Sequence, residues 1–152
     1  MITRTSRTTG RAVAAAVGAI ALVAGTAGSA SAAHTRPLQA VLYGANEVAK
    51  GDPDGIGGSI VTANAARGRL CFAIGVANVI TPTAAAHIHK GAVGKNGPIV
   101  VALKAPGASG SSRGCVTVKK ALILDILRHP TSYYVNVHDK AYPAGAVRGQ
   151  LS

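Results

Sequence analysis

Between residues 69 and 76 the chain alternates with a period of two. Leu70, Phe72, Ile74 and Val76 fall on one side; Arg69, Cys71, Ala73 and Gly75 fall on the other. Successive side chains change face in this way in an extended strand, so the stretch is predicted to bury one face and present the other. The same signal recurs in short pieces. Leu38, Ala40 and Leu42 form a first run that Gly44 ends, and residues 58–63 form a second. Residues 84–90, 99–103, 115–118, 133–138 and 146–151 follow in kind. Gly-, Pro-, Asn- and Asp-rich turns separate the runs: residues 51–55, 91–97, 105–114 and 139–145. Val79-Ile80 is expected to continue or close the third run, and Asn96-Gly97 to take positive φ. Residues 120–129 alone differ. Leu122, Ile123, Ile126 and Leu127 recur at helical spacing, and Pro130 stops them. The prediction is an all-β, antiparallel Greek-key sandwich or barrel of about eight strands, with one short helix at the barrel edge.

The first part of the chain lies outside that pattern. Arg4, Arg7 and Arg11 precede an apolar, Ala/Val-rich run over residues 12–27, and Ala30-Ser31-Ala32 fits a small-residue cleavage rule. Residues 1–32 therefore read as a signal peptide and 33–152 as the mature domain, with Ser31-Ala32-Ala33 as the neighbouring cleavage choice. The run is too short and too Gly/Ala-rich for a good membrane span, so no transmembrane segment is expected in the mature chain. The product is expected to be secreted. In that setting an even cysteine count argues for a disulfide between Cys71 and Cys115. The other reading of the two cysteines, a soft metal-ligand pair, would more usually show C-x-x-C spacing.

Charge narrows the partners. The chain carries 16 Lys+Arg against 5 Asp+Glu, a net +11. A basic surface favours an anionic extracellular or cell-wall partner. The basic residues do not cluster, and four Tyr, one Phe and no Trp give little for bases to stack on, so no nucleic acid is expected.

Ala86-His87-Ile88-His89 places two histidines on one face of a strand, roughly 6.5–7 Å apart. His138 ends another strand-like run. If the two strands are neighbours, His87, His89 and His138 converge on one point. Three neutral imidazoles suit copper or zinc, with a position left open. The same side chains could instead hydrogen-bond backbone carbonyls, Asn136 or Asp139 and so hold the loop after Gly91. His34 and His129 stand apart. Glu47, the only Glu, and Arg148, in a small apolar strand, are expected to form a structural ion pair through a bidentate contact. Other chemistry is poorly supplied. There is no G-x-S-x-G; Asp52-Pro53-Asp54-Gly55 lacks the later ligands of a calcium loop; residues 91–97 match no phosphate-binding motif.

Taken together, Ala86-His87-Ile88-His89, Asn96-Gly97-Pro98-Ile99-Val100, Tyr134-Val135-Asn136-Val137-His138 and residues 143–151 (PAGAVRGQL) resemble the CHRD (chordin-type) domain. Leu42-Tyr43-Gly44-Ala45-Asn46-Glu47-Val48 resembles its opening. Ala49-Lys50 stands where the family usually has prolines, and Ala146 where it usually has an acidic residue. The resemblance spans about residues 38–151 and implies a secreted domain of no known reaction. At the level of fold it also implies a likeness to the Cu/Zn superoxide dismutase sandwich, whose copper ligands include a His-x-His pair. The expectation is a non-enzymatic extracellular binding or structural module. The alternative is copper or zinc binding at the three histidines, for metal handling or redox chemistry.

Overall fold

A computed structural model describes residues 36–152, so the expected signal peptide, its cleavage site and His34 lie outside the described residues. Eight strands form one antiparallel sheet: β1 Pro37–Tyr43, β2 Ile56–Asn64, β3 Arg69–Ala77, β4 Ala85–Lys90, β5 Ile99–Leu103, β6 Ser111–Thr117, β7 Tyr133–His138 and β8 Val147–Gln150. One helix, α1 Lys120–Arg128, lies between β6 and β7. The order across the sheet is β5-β4-β7-β8-β1-β2-β3-β6, which curls into a nearly closed barrel with β5 and β6 at the seam. Around the barrel, β4, β5 and β6 succeed one another and β7 returns beside β4, a Greek-key path. The predicted all-β class, strand number and single helix all hold.

Alternation places the core. Leu38, Ala40 and Leu42 of β1, Val61 and Ala63 of β2, and Leu70, Phe72 and Ile74 of β3 point inward and are buried. Ala86 and Ile88 of β4 face them with Val135 and Val137 of β7. Ile123 and Ile126 of α1 complete the core. Lys90 Nζ reaches Asp125 at 2.8 Å, and the Tyr133 hydroxyl donates to the same carboxylate, which ties the helix to β4 and β7. Among the described residues no helix is long and apolar enough to cross a membrane.

Three local expectations change. Val79-Ile80 do not extend β3, because Asn78 takes φ of 57° and turns the chain away; Asn tolerates that conformation better than most residues. Strand β6 begins at Ser111, inside the stretch expected to be loop. Its Ser, Arg and Gly have no strand signal of their own, but β3 pairs them in register, Gly75 with Ser111 through Arg69 with Thr117. Positive φ falls at Gly94, not at Asn96-Gly97. Gly97 serves closeness instead: an added Cβ would lie 1.7 Å from the Lys90 carbonyl oxygen.

The same β3–β6 pairing puts Cys71 directly opposite Cys115, and they form the expected disulfide on the outer face.

Candidate metal centre

The histidines sit on the outer face of β4 and β7, the opposite side from Ile88 and Val135. In register, Ala85 of β4 pairs with His138, His87 with Asn136 and His89 with Tyr134. The expected neighbour relation of the two strands is therefore present, and the three imidazoles meet. One nitrogen from each of His87, His89 and His138 lies within 4.8 Å of the others. The pairing of β4 with β5 shifts register between Ile88 and His89. The extra residue, Val100, lies on β5, so β4 keeps His89 on the same face as His87, where the Tyr134 ring and the Gly97 carbonyl cover it and leave it buried.

Backbone carbonyls orient two of the rings. His89 Nδ1 lies 2.9 Å from Gly97 O, and His138 Nδ1 lies 3.1 Å from Pro143 O. A carbonyl only accepts, so each Nδ1 carries the proton and each Nε2 keeps its lone pair. His138 Nε2 faces His87 Nδ1 at 3.3 Å. His89 Nε2 is buried with no hydrogen-bond partner. Outer carbonyls that fix ring tautomers in this way are typical of metal-ligating histidines. The carbonyl-holding role weighed from sequence and the ligand role are compatible, because they use opposite nitrogens of the same rings.

Size can be tested. Two nitrogens bound at about 2.0–2.1 Å on a tetrahedral ion stand roughly 3.3–3.4 Å apart. The His87–His138 pair already has that spacing. Two ligands opposite one another span at most about 4.2 Å, so a pair at the 4.8 Å outer limit of the cluster has to draw closer to share one ion. Burial holds all three imidazoles below the usual histidine range. For His87 the neighbouring histidines add to the effect. For His89 the Gly97 carbonyl opposes it and the Arg148 charge reinforces it. The rings are therefore neutral at neutral pH, the form that binds a metal.

Tyr134 and Arg148 hold this arrangement in place. The Tyr134 ring stacks on His89, with centroids 4.8 Å apart and planes 9° apart. The Arg148 guanidinium carbon stands 3.4 Å from the Tyr134 centroid. Two groups so close cannot share one face, so the ring lies between them. Arg148, 1% exposed, donates Nη2 to Ala92 O (3.0 Å) and Lys95 O (2.8 Å), and Nη1 to Asn96 Oδ1 (3.3 Å). It thereby clamps residues 91–97 over the sheet and fixes the Gly97 carbonyl that orients His89. The Tyr134 hydroxyl accepts from Gly97 N at 3.2 Å.

The bidentate Glu47–Arg148 contact expected from sequence is not formed. Both ion pairs among the described residues involve Asp125, with Lys90 and with His129. Loop carbonyls satisfy the guanidinium instead. Glu47 Oε2 accepts from Asn136 Nδ2 at 3.4 Å, while Oε1 is buried without a partner. Burial pushes the Glu47 carboxyl up to about 7, against the opposing charge of Arg148 and the Asn136 hydrogen bond. The carbonyl contacts weighed from sequence are present, whereas Asn136 bonds Glu47 and not a histidine. The support role of Tyr134 is what sequence reasoning missed, and the available signal was that Tyr134 shares a strand face with His138.

No curated protein and no solved structure matches the chain. The CHRD domain model matches residues 38–151. That span holds every strand from Leu38 onward, the disulfide and the histidine cluster, and by it the chain belongs to the CHRD domain family.

Proposed function

We propose that this protein is an extracellular metal-binding module that holds copper(II) or zinc(II) through His87, His89 and His138. One observation carries the reading: three imidazole nitrogens gather within 4.8 Å, and one of them, His89 Nε2, is buried with no other partner. An unpaired buried acceptor is costly, and a bound cation relieves it. The family and the disulfide support an extracellular-type domain. An ion held by three neutral imidazoles keeps a position for an outside ligand and polarises what binds there.

Calorimetric titration of the oxidised protein with Cu(II) and Zn(II) tests the proposal. One-to-one binding is expected, weakened more than 100-fold in His89→Ala and in His138→Ala. Absence of binding, with a lower melting temperature in both variants, would make the histidines purely architectural.

A further inference from the structure

The other side of the barrel carries a second feature, independent of the histidines. On the outer face of β1, β2, β3 and β6, four residues stand in one row across the strands: Val41, Gly58, Gly75 and Ser111. The middle of the row is bare backbone. A Cβ added at Gly75 would meet nothing within 4 Å, and one at Gly58 only the Ala40 carbonyl oxygen at 3.9 Å. The row beside it reads Gln39, Ile60, Ala73 and Arg113; the row on the other side begins Tyr43, Ile56 and Ala77. The glycines thus floor a trough between two ridges, with Val41 as its wall at β1. Val41, Tyr43, Ile56 and Ile60 are 45–60% exposed, and no element among the described residues packs over them. Adjoining grooves of about 820 and 540 Å³ share Val41, Gly75 and Ser111.

The dimensions select the occupant. Four strands at about 4.8 Å spacing give a trough roughly 14 Å long and one residue row wide. That holds a single unbranched chain of roughly ten to twelve carbons; a peptide with side chains on both sides of its backbone is too broad. Charge selects its head. Lys104 and Arg113 line the β6 end, and neither belongs to an ion pair among the described residues. No Asp or Glu lines either groove. A second copy of this chain would bring like charge against like charge.

We propose that this face binds a single-chain anionic amphiphile of the fatty-acid class, its hydrocarbon in the Gly58–Gly75 trough and its carboxylate at Arg113 and Lys104.

The test is calorimetric titration of the full protein with monomeric dodecanoate, beside a neutral dodecyl glycoside below its micelle concentration. Saturable one-to-one binding of dodecanoate is expected. Gly75→Val fills the trough where space is open and should weaken binding at least 10-fold; Ile60→Asp, at an exposed position, should do the same. Lys104→Gln with Arg113→Gln should weaken dodecanoate at least 5-fold and leave the neutral amphiphile unchanged. His89→Ala should bind dodecanoate as the parent does. Circular dichroism checks that each variant folds. The proposal is overturned if the parent does not saturate, if both trough variants bind unchanged, if the charge variant loses nothing, or if only anionic vesicles bind.

Discussion

The barrel has two outer faces, and they are finished in opposite ways. The β4-β7-β8 face carries His87, His89, Tyr134, Asn136, His138, Arg148 and Gln150, and residues 91–97 close over part of it. The β1-β2-β3-β6 face carries Gly58, Gly75, Ile60 and Val41 and is left bare. Several polar side chains on the first face find partners in loop carbonyls that descend onto them: Gln150 reaches Gly91 O at 2.6 Å and Thr131 O at 2.8 Å. The middle of the second face is Val41, Gly58 and Gly75, which have no polar side chain to satisfy, and no loop among the described residues closes over them. Its β3–β6 edge is tied covalently instead, through Cys71–Cys115. The histidine face thus acquires a lid; the glycine-floored face acquires a staple and stays open.

The largest effect should come from the staple. Cys71→Ser with Cys115→Ser releases a 44-residue loop, worth about 4 kcal/mol in the chain-entropy model. Urea unfolding should show that loss while Cu(II) affinity of the folded fraction stays within about 3-fold. A collapse of metal affinity would show that the two faces are not independent. Arg148→Ala should cost about 2–4 kcal/mol, because it leaves three loop acceptors and a buried space behind. Unlike the cysteine pair, it should also weaken the metal about 10–100-fold through loss of the Gly97 anchor.

Glycine provides a matched comparison of the faces. Gly97→Ala forces a Cβ against the Lys90 carbonyl and should lower stability by about 2–3 kcal/mol and metal affinity with it. Gly75→Ala meets open space and should change stability by less than about 1 kcal/mol. Equal costs at the two sites would break the distinction between a closed face and an open one.

The smallest effect is a pH slope. The three histidines titrate below their unfolded value of about 6.5. The unfolded chain therefore binds more protons, and their contribution to stability is lost as pH falls from about 6.5 through the folded values. Glu47 has the opposite sign. Its folded value of about 7 exceeds the ordinary 4.5, so its contribution is lost as pH rises from 4.5 through 7. The metal-free protein should show a shallow urea-midpoint profile between pH 5 and 7. Glu47→Gln should steepen it, with stability now falling steadily toward pH 5. A profile unchanged by Glu47→Gln would place that carboxyl in an ordinary solvated setting.

Much of this was legible in the chain. Leu70, Phe72 and Ile74 announce a strand because a two-residue period survives only in extended backbone. His87 and His89 share a face for the same reason. Helix α1 was visible from Leu122, Ile123, Ile126 and Leu127, with Pro130 as its stop. What escaped was set by partners distant in sequence. Ser111–Gly114 became strand because β3 offered unpaired backbone there. Arg148 ignored Glu47 because three acceptors of residues 92–96 stood nearer its fork.

Periodicity, turn chemistry and cysteine count were therefore enough to determine an all-β domain with one disulfide and a same-face histidine pair, since each is a property of local backbone. Only the tertiary structure decided that β7 lies beside β4, bringing His138 to His87, and that the Gly97 and Pro143 carbonyls turn two Nε2 atoms inward. Those contacts span up to 51 residues of chain, and no local preference encodes which strand becomes the neighbour of which.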